Sequence, residues 1–152
     1  MGVAVTNPVA DALVPVLANT WALFQKTQTY HWNVVGPTFS ELHALFNTQY
    51  DDLHDAADTI AEHIRALNVA AGEVAKPIDG DFLSKSTLSP NNATGWQAMV
   101  RGLVEGHAAC ITSLEAVLDL ATEQNDQSTI NLISDHITAH RKATWMLAVH
   151  LE

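Results

Sequence analysis

Four side chains between residues 31 and 62 have the types and spacing of a metal site. His31 and His43 are twelve residues apart, and Asp58 and Glu62 follow further along the chain. Imidazole nitrogens and carboxylate oxygens together are the ligands that proteins offer to iron and zinc. The sequence therefore points first to metal chemistry.

A break in the helical pattern separates the two histidines. The segment Val35–Thr38 contains glycine and proline, which form turns. Thr38, with Glu41 three residues later, predicts a capping box at the start of a helix that runs to about Leu67. A preceding helix must end near Val34. If the two helices form an antiparallel hairpin, the histidines lie at similar distances from the turn and can face each other.

The second helix poses a problem of distance. Asp58 and Glu62 are one turn apart on one face, so they can share a metal ion. His43 and Asp58, however, are separated by roughly 22 Å at 1.5 Å per residue. Either the two pairs are separate sites, or a two-fold partner brings one pair to the other. Such an axis would cross the helix near Asp51 and Asp52.

Three further segments have helical periodicity. The first helix is expected to be capped by Thr6 or Asn7 and to run to about Val34, with Pro15 kinking it or delaying its start. The third is predicted over Asn92–Thr122, and the fourth from about Asp126 to the end of the chain.

The connection between the second and third helices is long. Turn formers recur over Asn68–Pro90, where Pro77–Leu83 could hold a short helix. A connection of this length fits a crossover that spans the bundle. The sequence predicts an all-α four-helix bundle, with residues 1–152 as one domain.

Composition limits the partners and the compartment. The chain has 152 residues, a formal charge of −10 and one cysteine, Cys110. Nucleic acid and acidic membranes would repel such a chain. No stretch approaches the length of a membrane span, and no secretory signal is expected in Met1–Ala10. We expect a cytoplasmic protein without membrane contact.

Two motifs resemble the signatures of the Dps family, the mini-ferritins also called DNA-binding proteins from starved cells. The segment Asp58–Glu62 is similar to the second signature. The first is matched by the pattern His-Trp-x-x-x-Gly-x5-Leu-His, here His31, Trp32, Gly36, Leu42 and His43. The resemblance covers nearly the whole chain.

The resemblance implies a ferritin-like four-helix bundle. It also implies a hollow homo-oligomer, a dodecamer, that oxidises Fe(II) and stores Fe(III) in its cavity. It implies sites shared between two-fold-related subunits, with His31 and His43 from one and Asp58 and Glu62 from the other. Hydrogen peroxide or, more slowly, dioxygen would accept the electrons. The expected activity is that of a ferroxidase, and the expected benefit is protection against oxidative damage.

Several residues modify this expectation. The family usually has an acid where this chain has Asn47, and often has arginine where it has His63. Either His63 or His54 could add a ligand, although a surface position is the simpler reading for each. In the resembling family, acids near the start of the last helix line the iron-entry pores. Glu123 and Asp126 are the candidates here, and ordinary helix-terminal acids are an equal alternative.

For several other aromatic and histidine side chains, packing in the core is the simplest interpretation. Trp32 and Trp145 are by default expected in the core. The resemblance offers an equal alternative for Trp32, a place near the iron where it could take up stray oxidising equivalents. His136 and His140 are four residues apart and could bind a metal, but packing in the core is the expectation for His140. The same reading holds for the two remaining histidines, His107 and His150.

Two rival functions follow from the same features. One is a DNA-compacting protein associated with the nucleoid. A basic tail would support it, and none is present, so DNA binding is not expected. The other is a buffer for zinc or another divalent metal, in which zinc takes the place of iron because Asn47 weakens the ferroxidase site.

Overall fold

A computed structural model of the chain describes residues 7–72 and 95–152. These residues form four long α-helices and a terminal 3-10 turn, and the described ranges contain no strand, which confirms the all-α four-helix bundle. The predicted short helix at Pro77–Leu83 lies outside the described residues. The elements are α1 (Pro8–Asn33), α2 (Phe39–Ala66), α3 (Gly95–Glu123), α4 (Gln127–Ala148) and the 3-10 turn Val149–Leu151.

The start of α1 follows the expected capping chemistry. The Asn7 side chain accepts hydrogen bonds from the backbone N–H groups of Val9 and Ala10, both at 3.1 Å, and Pro8 occupies the first helical position. The helix then continues through Pro15, so that proline does not delay its start.

The predicted capping box at the start of α2 is wrong. Thr38 precedes the helix but makes no side-chain capping bond, because its backbone angles (φ −104°, ψ 22°) differ from the extended conformation of a capping residue. Its hydroxyl oxygen is buried without a hydrogen-bond partner in the described structure. Backbone bonds from Phe39 to Gly36 and from Leu42 to Thr38 close the turn instead.

Gly36 gives the α1–α2 turn its shape. Its φ of +111° lies in the region that favours glycine, and a side chain there would place Cβ 3.1 Å from a ring carbon of Trp96. The turn therefore requires glycine for two reasons, the backbone conformation and the close approach of α3.

The core consists of two neighbouring clusters along the bundle. Helix α1 packs on α2 and α3, and α3 packs on α4. One cluster includes Leu13, Ile60 and Leu114, and the other includes Leu42, Phe46 and Leu103.

Trp32 and Trp145 are not in the core of the chain, which corrects the expectation from sequence. Their side chains are 65% and 63% exposed. Successive residues of a helix are turned by about 100°, so Trp32 cannot share the inward direction of Tyr30, nor Trp145 that of Leu147. The two tryptophans contribute exposed apolar surface instead. None of the described helices has the length and apolarity that crossing a bilayer requires.

Candidate metal site

The α1–α2 hairpin brings the two histidines into direct contact, as predicted. The rings of His31 and His43 stack with their centroids 3.8 Å apart and their planes at 17°. Each ring also bonds to the other residue's backbone. The His31 Nδ1 lies 2.7 Å from the carbonyl oxygen of His43, and the His43 Nδ1 lies 2.8 Å from that of His31.

These reciprocal bonds fix the tautomer of both rings. A carbonyl oxygen only accepts hydrogen bonds, so each Nδ1 carries the proton and donates it. In the neutral ring the lone pair is then on Nε2, on the far side from the carbonyl. Histidines that bind metals are commonly held in this way, with one nitrogen donating to a carbonyl and the other free for the metal. Both residues of the pair are only partly buried.

Next to the pair is a short chain of polar contacts that includes Asn47. The Tyr50 ring meets His31 edge-on at 5.2 Å, and its hydroxyl donates to the amide oxygen of Asn47 at 2.8 Å. The Asn47 amide nitrogen donates in turn to Asp51 at 3.2 Å. Asn47 is therefore near the histidines, but its amide already has two partners on its own helix.

The two acids lie further along α2, on its exposed surface. Within the described part of the chain, neither Asp58 nor Glu62 has an ion pair or a side-chain hydrogen bond. Asp58 borders a groove of about 310 Å³ between α1 and α2, which Trp21 and His54 also line. Two exposed carboxylates one turn apart, beside an open groove, can accept a cation or a partner surface.

The chain by itself does not bring the histidines and the acids together. Both pairs include residues of α2, which is one uninterrupted helix, so the separation of roughly 22 Å between His43 and Asp58 stands. Residues 7–72 and 95–152 contain no group of three or more His, Cys, Asp or Glu side chains arranged to hold a metal. The site residues predicted from sequence form two separate pairs, the histidines at the α1–α2 hairpin and the acids further along α2.

His54 and His63 lie in different surroundings. His54 packs against the rings of Trp21 and Phe24, at 5.9 and 5.3 Å, and is close to Asp55. His63 turns towards α4, where its Nε2 lies 2.8 Å from the Thr129 hydroxyl. That hydroxyl donates to Asp126, so His63 is the donor to Thr129.

The two acids predicted for a pore lie at the α3–α4 connection. Glu123 is exposed at the end of α3. Asp126 caps α4, accepting from the backbone and hydroxyl of Thr129 and from Ser128. Partial burial acts to raise the pKa of Asp126, but these hydrogen bonds outweigh it and hold the pKa below its usual value. The capping role is therefore observed, and a pore role stays a prediction.

A second pair of histidines lies inside the bundle. His107 and His140 are 2% and 4% exposed, and their Nδ1 atoms are 2.8 Å apart. Burial, together with the neighbouring His140, lowers the pKa of His107 to about 3. Burial and the charge of His136 lower the pKa of His140 to about 4. Both are core residues, as expected. His150, by contrast, is only half-buried in the terminal 3-10 turn and bonds to the Met146 carbonyl, which corrects the expectation of a core position.

Sequence reasoning missed the aromatic residues beside the histidine pair and the acid pair. Tyr50 touches His31, and Trp21 lines the groove at Asp58. A signal was available for Tyr50, because it follows His43 by seven residues and two helical turns return to the same face. For Trp21 there was none, because its position depends on how α1 packs against α2.

Comparison with known proteins agrees with this architecture. Residues 10–152 match the family model for the ferritin-like domain. A low temperature-induced protein of Nostoc sp. is 34% identical over 142 residues, covering 90% of this chain and 75% of the relative. The DNA protection during starvation protein of Brevibacillus brevis is 29% identical over the full length of both chains.

A solved structure extends the match to three dimensions. The Dps protein from Vibrio cholerae O1, titled a member of a broad superfamily of ferritin-like diiron-carboxylate proteins, has a TM-score of 0.82 and 30% identity over all of both chains. A family model that spans most of the chain, a full-length relative and a full-length structural match all lead to one conclusion. The chain belongs to the Dps family of ferritin-like proteins.

Proposed function

We propose that this protein is a ferroxidase and iron store whose oxidation sites form between two-fold-related subunits. Membership of the Dps family supports iron binding, iron storage and protection against oxidative damage in general. The residues, the oxidant and the assembly named below are the specific content of the proposal.

The arrangement of His31 and His43 is the observation that carries it. Their Nδ1 atoms bond to backbone carbonyls at 2.7 and 2.8 Å, which leaves both Nε2 lone pairs for a metal ion. Neutral imidazoles hold Fe(II) without adding negative charge, whereas carboxylates stabilise the Fe(III) product. Asp58 and Glu62 of a second subunit would supply those carboxylates.

The two-fold arrangement follows from α2. Two antiparallel copies that cross near Asp51 and Asp52 would place the histidines of each subunit beside the acids of the other. The acids are exposed and lack partners in the described chain, so a second subunit can reach them. We propose that twelve subunits enclose the cavity in which the oxide collects.

In the proposed reaction, each molecule of hydrogen peroxide accepts two electrons. Two Fe(II) ions give one electron each to hydrogen peroxide, which takes up two protons and leaves as two water molecules. Dioxygen is the slower alternative acceptor. Because this reaction consumes ferrous iron and peroxide together, it suppresses the formation of hydroxyl radicals from them.

Complementation between two inactive variants tests the shared site. One variant carries His31→Ala with His43→Ala, and the other carries Asp58→Ala with Glu62→Ala. Each alone leaves every site half-built, so Fe(II) oxidation with peroxide should fall near the rate in buffer. A mixed dimer has one complete site of its two, so random co-assembly should restore about a quarter of the sites.

The two variants carry different affinity tags, and mixed assemblies are isolated through both before assay. Activity that stays at background in verified mixed assemblies would contradict the shared site. So would full activity of either variant alone, because one pair would then suffice without the other.

A further inference from the structure

A continuous row of aromatic rings runs along one face of the α1–α2 hairpin, from the histidine pair towards the acid pair. The Tyr50 ring meets His31 edge-on, with centroids 5.2 Å apart, and Phe24 meets Tyr50 in the same manner at 6.1 Å. The Phe24 ring in turn lies 4.9 Å from Trp21 and 5.3 Å from His54. We call the four residues Tyr50, Phe24, Trp21 and His54 the aromatic row.

The two ends of the aromatic row lie beside the two parts of the proposed metal site. Tyr50 contacts the histidine pair at one end. At the other end, Trp21 and His54 line the groove of about 310 Å³ that Asp58 also borders. On α2, His43, Tyr50, His54 and Asp58 follow one another at spacings of seven, four and four residues, so they share one face of the helix. Each subunit therefore carries an aromatic connection between its own histidines and its own acids.

In the proposed dimer this connection joins two different metal sites. The histidines of a subunit belong to one site and its acids to the other, so each subunit contributes to both sites. The two sites are then roughly 22 Å apart along α2. A single electron transfer over that distance is slow, because electron tunnelling weakens steeply with distance. Aromatic rings in contact divide the distance into shorter steps.

Each site has charged ligands for one iron ion, whereas hydrogen peroxide takes up two electrons. Two imidazoles and two carboxylates are enough protein ligands for one ion. Asn47, near the histidines, offers only a neutral amide, whose oxygen accepts from Tyr50 at 2.8 Å and whose nitrogen donates to Asp51 at 3.2 Å. Position 47 therefore supplies no charged ligand for a second ion. Because one Fe(II) ion gives one electron, the second electron has to come from the iron of another site.

We infer that the aromatic row carries this second electron between the two metal sites of a dimer. The inference rests on the proposed function, since it needs iron at both shared sites. Tyrosine and tryptophan are the side chains of the row that lose one electron most readily. They stand at its two ends, Tyr50 beside the histidines and Trp21 beside the acids. Phe24 is not oxidised, and its ring provides the contact through which the electron passes between them.

The transfer balances electrons and protons. Peroxide at one site takes one electron from the Fe(II) ion there and one from Tyr50, its O–O bond breaks, and with two protons from solvent it leaves as two water molecules. Oxidised Tyr50 passes its hydroxyl proton along the hydrogen bond to the Asn47 amide oxygen, and Asp51, which accepts from the same amide, stabilises the resulting positive charge. Tyr50 regains this proton when Trp21 returns an electron, and the Fe(II) ion at the second site then reduces Trp21. In sum, two Fe(II) ions become Fe(III), and the protein is unchanged.

Replacing the two oxidisable rings by phenylalanine tests the aromatic row while keeping a ring at each position. The variant Tyr50→Phe with Trp21→Phe retains all four proposed metal ligands. Each site is loaded with one Fe(II) ion, and half an equivalent of peroxide is added per iron. The unaltered protein should oxidise all of its iron and release no hydroxyl radical to a spin trap. The double variant should leave half of its iron as Fe(II), because each peroxide then takes one electron and one proton and yields one water molecule and one trapped hydroxyl radical.

A tyrosine and a tryptophan outside the aromatic row provide the matched control. Tyr30 belongs to the core cluster around Leu42, and Trp145 is exposed on α4. Tyr30→Phe with Trp145→Phe should therefore behave as the unaltered protein does. Freeze-quench electron paramagnetic resonance gives a second readout, with a transient tyrosyl signal expected in this control and none in the Tyr50→Phe variants. The single change Tyr50→Phe removes only one oxygen atom, so it keeps the test valid if the double variant does not fold.

The outcomes separate the aromatic row from the proposed function. Anaerobic titration first verifies that each variant binds as much Fe(II) as the unaltered protein. Complete oxidation without trapped radical in the Tyr50→Phe and double phenylalanine variants would overturn the electron transfer, while the ferroxidase would stand. Radical release from the Tyr30 and Trp145 control as well would also overturn it. If the unaltered protein does not oxidise Fe(II) with peroxide, the proposed function fails, and this inference fails with it.

Discussion

Two pairs of histidines lie in this bundle, and they differ in what holds each ring. His31 and His43 donate to backbone carbonyls at the edge of the hairpin, whereas His107 and His140 share one proton between ring nitrogens in the core. A carbonyl can only accept, so each ring of the outer pair, His31 and His43, has one tautomer, with its lone pair on Nε2. In the inner pair the rings satisfy each other, and one buried nitrogen is left over.

The difference in surroundings separates the two pairs chemically. The outer pair is partly exposed, so it can exchange ions with solvent and meet a partner subunit. The inner pair is enclosed by α2, α3 and α4, and burial makes protonation of its rings costly. The same residue type is thus partly exposed to solvent in one place and enclosed in the other.

Replacing each histidine pair in turn should give the largest difference in the rate of Fe(II) oxidation. His31→Ala with His43→Ala should lower the rate of Fe(II) oxidation about 100-fold or more, because half of every proposed site is lost. His107→Leu with His140→Leu should leave that rate within about twofold, and its stability change should be small because both buried polar partners are removed together. Stopped-flow absorbance of Fe(III) measures the rates, with His150→Ala as the control. Equal losses of oxidation rate from both replacements would contradict the proposed difference in role between the two pairs.

The pH dependence of the free energy of unfolding should reveal the lowered pKa values of the inner pair, His107 and His140. Between about pH 4 and pH 6.5 the unfolded chain binds protons on His107 and His140 that the folded chain excludes. Stability should therefore be full above pH 6.5 and fall as the solution becomes more acidic, by roughly 2 kcal/mol for each ring and about 4 kcal/mol in total at pH 5. Denaturant unfolding of the metal-free protein measures this.

The double leucine variant is the control for that titration. Removal of both inner rings should make the curve much shallower between pH 6.5 and pH 5. A smaller slope should remain from His136, because burial lowers its pKa as well, against the opposing charge of Asp135. A curve of unchanged slope in this variant would assign the pH dependence to those neighbouring groups instead.

A negative charge placed beside the outer pair should increase its affinity for Fe(II). Asn47→Asp should tighten Fe(II) binding about tenfold, because it adds a carboxylate one turn from His43. It also replaces the amide donor to Asp51 with a like charge, so helix stability should fall by a few tenths of a kcal/mol. Anaerobic titration calorimetry measures the affinity, and Asn47→Ala serves as the uncharged comparison. Unchanged affinity in Asn47→Asp would mean that position 47 does not reach the metal.

The smallest expected effect concerns the turn that positions the outer pair. Gly36→Ala should destabilise the protein by about 1 kcal/mol, because a side chain is strained at φ +111° and would press on Trp96. Gly102→Ala is the matched comparison on α3, where Cβ would meet Lys26 and Tyr30 at ordinary distances of 3.4 and 3.5 Å. Thermal unfolding should show a loss for Gly36→Ala alone. A loss of stability of the same size in both variants would show that the turn at Gly36 does not require glycine more than α3 does at Gly102.

The sequence alone determined the features that depend on local periodicity and turn chemistry. The helix pattern predicted α1 through α4, and glycine and proline predicted the turn that lets His31 and His43 face each other. Spacing along α2 also showed that the histidines and acids cannot meet within one chain. These properties follow from 3.6 residues per turn and a rise of about 1.5 Å per residue.

Only the tertiary structure decided which side chains meet across helices. Sequence placed His107 and His140 in the core but could not show that they touch, because the α3–α4 packing sets their register. It likewise could not show the reciprocal carbonyl bonds that set the tautomers of the outer pair, nor the exposure of Trp32. Contacts between helices depend on the relative rotation and translation of whole elements, and a pattern read along one element does not contain that information.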